Sequence, residues 1–280
     1  MKNIRLVIDA GHLNTHHVQF ACYLASLTQS RLTGIFMQNA PYQEIPHMKV
    51  ALGTPFTETV TLDDLPDFRE RQELLQEHES TFRAICERQG VHVSVQENPH
   101  EPLEQILAES RYADLMIIGS DLAFEPSDEK KPSAFLKDVL CAVECPVMIA
   151  PAYFEGVEEI VFAYDGNAAA VHAVKQFSYL FPELEDCRLT IVQVVGENEP
   201  EDDADTSKLA RLVSSHYSNA HFKKLYGRPN SELFAFLATK QKTLVVMGSY
   251  GRNAFSNMLT PSTADPLIRS LNLPVFIAHR

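Results

Sequence analysis

No apolar run in these 280 residues is long enough to cross a bilayer. Stretches such as LMII and LVVM are too short, and the N-terminal MKNIRLVIDAGHL sets Lys2, Arg5 and Asp9 around a brief apolar run, unlike a signal peptide. Basic residues are also scarce. Lys and Arg number 24 against 37 Asp and Glu, for a formal charge of −13. That balance argues against nucleic-acid backbones and anionic membranes, both of which need a basic surface. The five cysteines, at 22, 86, 141, 145 and 187, are odd in number and scattered, so no disulfide framework is expected. They read as ordinary thiols of a reducing cytoplasm. Also missing are GxxxxGK[ST], GxGxxG after a strand, HExxH, CxxC and GxSxG. No nucleophile stands with its base, so no dedicated phosphoryl-transfer machine is expected.

What the chain does contain is itself, twice. RLVIDAGH is matched by VFAYDGNA, SRLTGIFMQ by CRLTIVQVV, ADLMIIGSDLAF by KTLVVMGSYGRNAF, and ECPVMIAP by NLPVFIAH. Four matches in one order mean two copies of one unit. Residues 1–152 and 153–280 form the expected domains. The spacing drops by about 27 residues after the second match, so the first copy carries an insert at about residues 41–68. Its prolines and weak period predict a loop or flap. The acidic GENEPEDDAD reads as a solvated segment of the second copy.

Each copy alternates short apolar strands with helices. Strands apolar on both faces predict parallel sheets covered by helices on each side, and right-handed crossovers make them doubly wound. Ligands of such sheets bind beyond the carboxyl ends of the strands. Asp9 and Asp165 end the first strand of each copy, and Gly119 and Gly248 end the fourth. All four are expected to face two equivalent clefts.

The first strand ending Asp165-Gly166-Asn167, the strand ending LVVMGSYGR and the closing STADPLIRSLNLPVFIA resemble the universal stress protein family. The match runs through both halves, the second being the better copy. The resemblance implies an α/β fold of two tandem doubly wound parallel five-stranded sheets, order 3-2-1-4-5, of the adenine nucleotide alpha hydrolase-like type. It also implies that the last strands, PVMIA and PVFIA, pair within the chain as a pseudo-dimer. Whether two chains associate further is left open.

Nucleotide-binding members carry Gly, two residues, Gly, nine residues, Gly, then Ser or Thr, and use the Asp after the first strand. Here Gly248, Gly251 and Ser262 fit, with Arg252 and Thr263 assisting and Asp165 near base or ribose. ATP or a related adenine nucleotide is the implied ligand. Pro261 stands where the last Gly belongs and removes one N–H donor, a loss of about 1.5–3 kcal/mol. The first half keeps Gly119 and Ser120, but Leu122 replaces the second Gly and only Lys130 and Lys131 offer charge, so its site is degenerate. Asp165-Gly166-Asn167 also has a plainer use, as a turn and helix cap. His12, His16 and His17 sit where the first helix begins; His12 and His16, four apart and close to Asp9, allow a metal pair to be imagined, but the three read chiefly as surface or cleft-lining histidines. Three functions stay open: a stress-adaptation protein binding a nucleotide in its second half, a ligand-free interaction scaffold, and an enzyme or binder using a metal or nucleotide-like metabolite.

Overall fold

The computed structural model describes residues 1–37, 46–51, 54–59, 66–98, 102–122, 133–196, 203–248 and 271–278. The first half runs β1 (Asn3–Asp9), α1 (Thr15–Leu27), β2 (Arg31–Met37), β3 (Pro46–Ala51), β4 (Thr54–Thr59), α2 (Pro66–Arg88), β5 (Val93–Asn98), α3 (Pro102–Ser110), β6 (Leu115–Gly119), α4 (Ala134–Ala142) and β7 (Val147–Ala150). The second runs β8 (Glu159–Tyr164), α5 (Ala168–Leu180), β9 (Arg188–Val195), α6 (Asp203–Ser214), β10 (Ala220–Tyr226), α7 (Pro229–Leu237), β11 (Thr243–Gly248) and β12 (Val275–Ala278). Residues 249–270, between β11 and the approach to β12, lie outside the described residues.

Ten strands form one sheet in the order β10-β9-β8-β11-β12-β7-β6-β1-β2-β5. Each half contributes five parallel strands in the expected order 3-2-1-4-5. The halves meet where β12 and β7 run antiparallel, with Val275 opposite Ile149 and Ile277 opposite Val147. Each of these short apolar strands would otherwise be an open edge.

The strands are buried on both faces, every residue of β6, β8 and β11 included. Alternation sends their side chains to two layers. One layer is continuous across both halves and joins Leu6, Ile8 and Phe36 to Phe162 and Phe276 under α1, α2, α5 and α6. Opposite it, α3 and α4 cover Val7, Met116 and Ile118, while α7 covers Val161, Val192 and Val245. Edge-to-face aromatics fix the shared layer: Phe177 meets Phe162 at 5.9 Å and Phe276 at 5.2 Å between ring centroids. The linker between halves is tied down by Phe154, whose ring lies 4.8 Å from Phe20 and 4.7 Å from Tyr23.

Local signals set the helix ends. The Asn14 side chain accepts from the His16 N–H at 3.0 Å and caps α1, and Ser133 accepts from the Leu136 N–H at 3.1 Å and caps α4. Gly90, at φ +68°, takes the left-handed position just beyond α2.

Two expectations need correction. The insert contains a hairpin rather than loop alone: β3 and β4 pair antiparallel from Pro46 opposite Thr59 to Ala51 opposite Thr54. Only Leu52-Gly53 separates the strands, and a two-residue link containing Gly is a hairpin signal that the prolines outweighed in the sequence reading. Residues 41–45, 52–53 and 60–65 of the insert lie outside the described residues. The acidic GENEPEDDAD stretch already enters a helix at Asp203. Carboxylates in a first helical turn suit its dipole, so acidity there does not preclude helix.

Candidate functional site

In the second half, β8 and β11 are parallel neighbours, with Ala163 opposite Met247. Their tips therefore bring Asp165 and Gly248 to the same end of the sheet. Gly248 touches the opening of α5. A Cβ built there would stand 2.5 Å from both Ala169 C and Ala170 N. Only a residue without a side chain admits the helix start so close to the strand tip. The Asp165 carboxylate folds back on its own turn: Oδ1 accepts from the Asn167 N–H at 3.0 Å and Oδ2 from Asn167 Nδ2 at 2.6 Å. Gly166 turns the chain at φ +85°. Asn167 stands at the N-cap of α5 with no side-chain cap bond, and its Nδ2 donates to Asp165. The turn chemistry expected of Asp-Gly-Asn is therefore present. Gly251, Arg252, Ser262 and Thr263, the remaining candidate nucleotide contacts, lie outside the described residues.

The first half brings Asp9 and Gly119 together, and fills the space between them differently. Asp9, His12, Leu13, Asn14, His17, Gly119, Asp121 and Leu122 line a cavity of about 40 Å³ at the tips of β1 and β6. His17, 8% exposed, lays its ring over Gly119, where a Cβ would meet its Cε1 at 2.4 Å. The ring stands 3.8 Å from Asp121, and Asn14 Nδ2 lies 3.3 Å from both His17 Nε2 and an Asp121 carboxylate oxygen. Where the second half presents helix backbone to its glycine, the first presents an imidazole. Lys130 and Lys131 lie outside the described residues.

The Asp9 carboxyl titrates above its ordinary range. Burial is the main cause, and Asp121 adds to it; the Gly11 N–H, 2.8 Å from Oδ1, and the imidazoles of His12 and His78 oppose it. His78 reaches over from α2 to bond the Ala10 carbonyl at 2.8 Å. The histidines at the start of α1 sort as surface and cleft-lining groups, as expected. His17 joins His12 in the cleft, whereas His16 is exposed. No group of three or more His, Cys, Asp or Glu among the described residues could hold a metal ion. His17 was legible in the sequence, since Phe20, Ala21 and Leu24 stand three, four and seven residues on and all are buried. Asp121 had a weaker signal, two residues beyond the strand-end glycine. His78 had none, because only the tertiary fold carries α2 to the first turn.

No helix among the described residues is long and apolar enough to cross a membrane. Residues 156–279 match the model of the Universal stress protein family. The curated protein "Universal stress protein Slr1230" from Synechocystis sp. is 20% identical over 285 residues, covering 98% of this chain and 99% of its own length. A solved universal stress protein from Archaeoglobus fulgidus DSM 4304 superposes with a TM-score of 0.72 at 20% identity, over 99% of this chain and 96% of that one. A putative universal stress protein from Pseudomonas aeruginosa UCBPP-PA14 gives a TM-score of 0.54 at 16% identity, over 99% and 93% of the two chains. These relatives share the architecture over nearly the whole length, and the family's own pattern lies in the second half. By that match, the second half carries the pattern of the universal stress protein family, and the chain as a whole shares the fold of that family's solved members.

Proposed function

We propose that the chain is a tandem, two-domain universal stress protein, divided near residues 152 and 153, that works in the cytoplasm as a stress-adaptation or regulatory module. Its ligand is an adenine nucleotide, ATP or a close relative, held by the second half. Gly248, Gly251 and Ser262 hold the phosphates with help from Arg252 and Thr263, and Asp165 lies toward base or ribose. One observation carries the reading. Gly248 ends β11 against the opening of α5, beside the turn that holds Asp165, so the backbone approaches closely where a wound sheet takes its ligand. Backbone N–H groups at such a tip suit a phosphate. Pro261 weakens the cradle by one donor, about ten- to a hundredfold in affinity, without removing the rest. The pairing of β7 with β12 supports reading the chain as an intrachain pseudo-dimer.

A second reading, a ligand-free interaction scaffold, is favoured for the first half alone. There His17 covers Gly119 and Leu122 takes the place of a motif glycine. Native mass spectrometry and thermal shift with millimolar ATP separate the two. Retained nucleotide, or a melting temperature raised by ATP and no longer raised in Gly251→Val, supports the nucleotide reading. A clean apo mass with no shift supports the scaffold for the whole chain, and a shift that survives Gly251→Val places the ligand elsewhere.

A further inference from the structure

Cys22 of α1 and Cys86 of α2 lie 64 residues apart in sequence, yet their sulfurs meet at 3.3 Å. Both are free thiols with 0% exposure, buried with Phe20, Phe82 and Ile85. The contact serves no part of the nucleotide reading.

We propose that Cys22 and Cys86 are a redox-responsive pair that closes to a reversible disulfide under a hydroperoxide, tying α1 to α2. The contact is already hydrogen-bonding distance for sulfur, and closure needs the two sulfurs to draw together by little more than 1 Å. Cys22 is the attacking group. A hydrogen bond shared with Cys86 holds its thiol below the ordinary range against the opposing effect of burial, while Cys86 is raised by that same bond and by burial. The other two partly or fully buried thiols are poorer nucleophiles: burial pushes Cys145 up to about 12, and raises Cys187.

The chemistry balances. The Cys22 thiolate attacks one peroxide oxygen, the O–O bond breaks, and the departing hydroxide takes up a proton to leave as water. The sulfenic acid left on Cys22 is then attacked by the Cys86 sulfur. The S–S bond forms, the S–O bond breaks, and the hydroxyl leaves with the Cys86 proton as a second water. One peroxide is reduced and two thiols are oxidised. Burial makes the reaction wait on local opening between α1 and α2, so it runs slowly. The bond joins the two helices that carry His17 and His78 to the first cleft, and so fixes the walls around Asp9.

The test treats the full-length reduced protein with millimolar hydrogen peroxide, removes the oxidant, denatures, blocks remaining thiols with iodoacetamide and digests without reductant. The expected result is one cross-linked peptide pair joining Cys22 to Cys86, a mass lower by two hydrogens, alkylation of Cys141, Cys145 and Cys187 only, and reversal by dithiothreitol. The oxidised protein melts at a higher temperature, because the cross-link closes a long loop in the unfolded chain. Alkylation of all five thiols, separate sulfinic or sulfonic acids at 22 and 86, or a bond to another cysteine overturns the proposal. Cys86→Ser, whose hydroxyl keeps a hydrogen-bonding group beside Cys22, should accumulate a sulfenic acid at Cys22 that dimedone traps. A folded Cys86→Ser protein with Cys22 untouched by peroxide overturns the assigned order of attack. If that variant does not fold, the wild-type peptide map decides alone.

Discussion

Replacing Gly248 by alanine tests whether the strand tip of the second half is built for close backbone approach. Neither Gly248 nor Gly119 has a positive φ, so alanine suits both backbones and contact alone decides the outcome. At 248 the new methyl would stand 2.5 Å from Ala169 C and Ala170 N and 2.7 Å from Ala169 O, where ordinary contact begins near 3.4 Å. These are backbone atoms of the first turn of α5 and cannot swing aside. The turn must retreat by roughly 1 Å, which loosens α5 from β11 and strains the Phe177 packing behind it. Overpacking of a rigid neighbour falls at about 2–3 kcal/mol. For a chain of this size the melting temperature drops by about 2–4 °C per kcal/mol, so the loss is about 4–12 °C. At 119 the obstructing atoms belong to the side chains of His17 and Asp121, which border the first cleft and can rotate into it. Gly119→Ala therefore falls near 1 kcal/mol, about 2–4 °C. Differential scanning calorimetry of both variants at one pH measures the contrast. A Gly248→Ala protein that melts within a degree of wild type, or above Gly119→Ala, refutes the reasoning.

Two further predictions use charged groups. Glu159 is buried, which pushes its carboxyl up, but Lys240 at 2.7 and 2.9 Å and the Thr190 hydroxyl at 2.7 Å outweigh that and hold it below its usual range. Its stabilisation is present above the ordinary carboxylate value and is lost as pH falls through the depressed folded one, so Lys240→Met should destabilise by about 1–3 kcal/mol near pH 7, with the gap narrowing in acid; a gap unchanged between pH 7 and pH 3 in urea titrations counts against the pairing. Asp9 has the opposite sign: its raised carboxyl contributes stability below the ordinary value and loses it as pH rises through the folded one. Asp9→Asn, neutral throughout and still able to accept from the Gly11 N–H, should therefore melt above wild type at pH 7 and level with it near pH 3, and an Asn variant that melts lower at pH 7 shows that the charge is wanted there.

The repeat made most of the fold legible. Once RLVIDAGH and VFAYDGNA mark two first strands, and four matches keep one order, alternating elements and right-handed crossovers leave few topologies. The β7–β12 joint followed from the resemblance and from the exposed edge that two short apolar strands would leave. What stayed hidden depends on residues that meet only after folding. His78 reaches Ala10 across 68 positions, and Cys22 meets Cys86 across 64. No spacing rule encodes either contact. His17 is different, because its helical phase with Phe20, Ala21 and Leu24 announced burial. The hairpin was hidden by proline at 46 and 55, which lowers strand propensity without forbidding a two-stranded ribbon.

The architecture also explains why the two halves can differ at their tips while sharing one core. Fold integrity rests on the continuous layer from Leu6 to Phe276 and on the β7–β12 ladder, and neither includes Asp9, His17, Gly119, Asp165 or Gly248. A glycine at the end of β6 or β11 only has to leave room for whatever lies over it. In the second half that is the backbone opening α5, and the position tolerates nothing larger. In the first it is an imidazole with a carboxylate beside it, and the chain between Asp9 and the cap of α1 is longer, running to Asn14 where the second half reaches Asn167 only two residues after Asp165. Those added residues move the helix start away from the strand tip and admit His17 into the gap. The change of length, more than the loss of a motif glycine, exchanges helix backbone for a side chain over the strand-end glycine, so shortening the Asp9–Asn14 turn by three residues with His17→Ala should return backbone to the position over Gly119. Gly119→Ala in that background should then become as damaging as Gly248→Ala, and a melting loss that stays near 2–4 °C would show that the turn length is not what separates the two clefts.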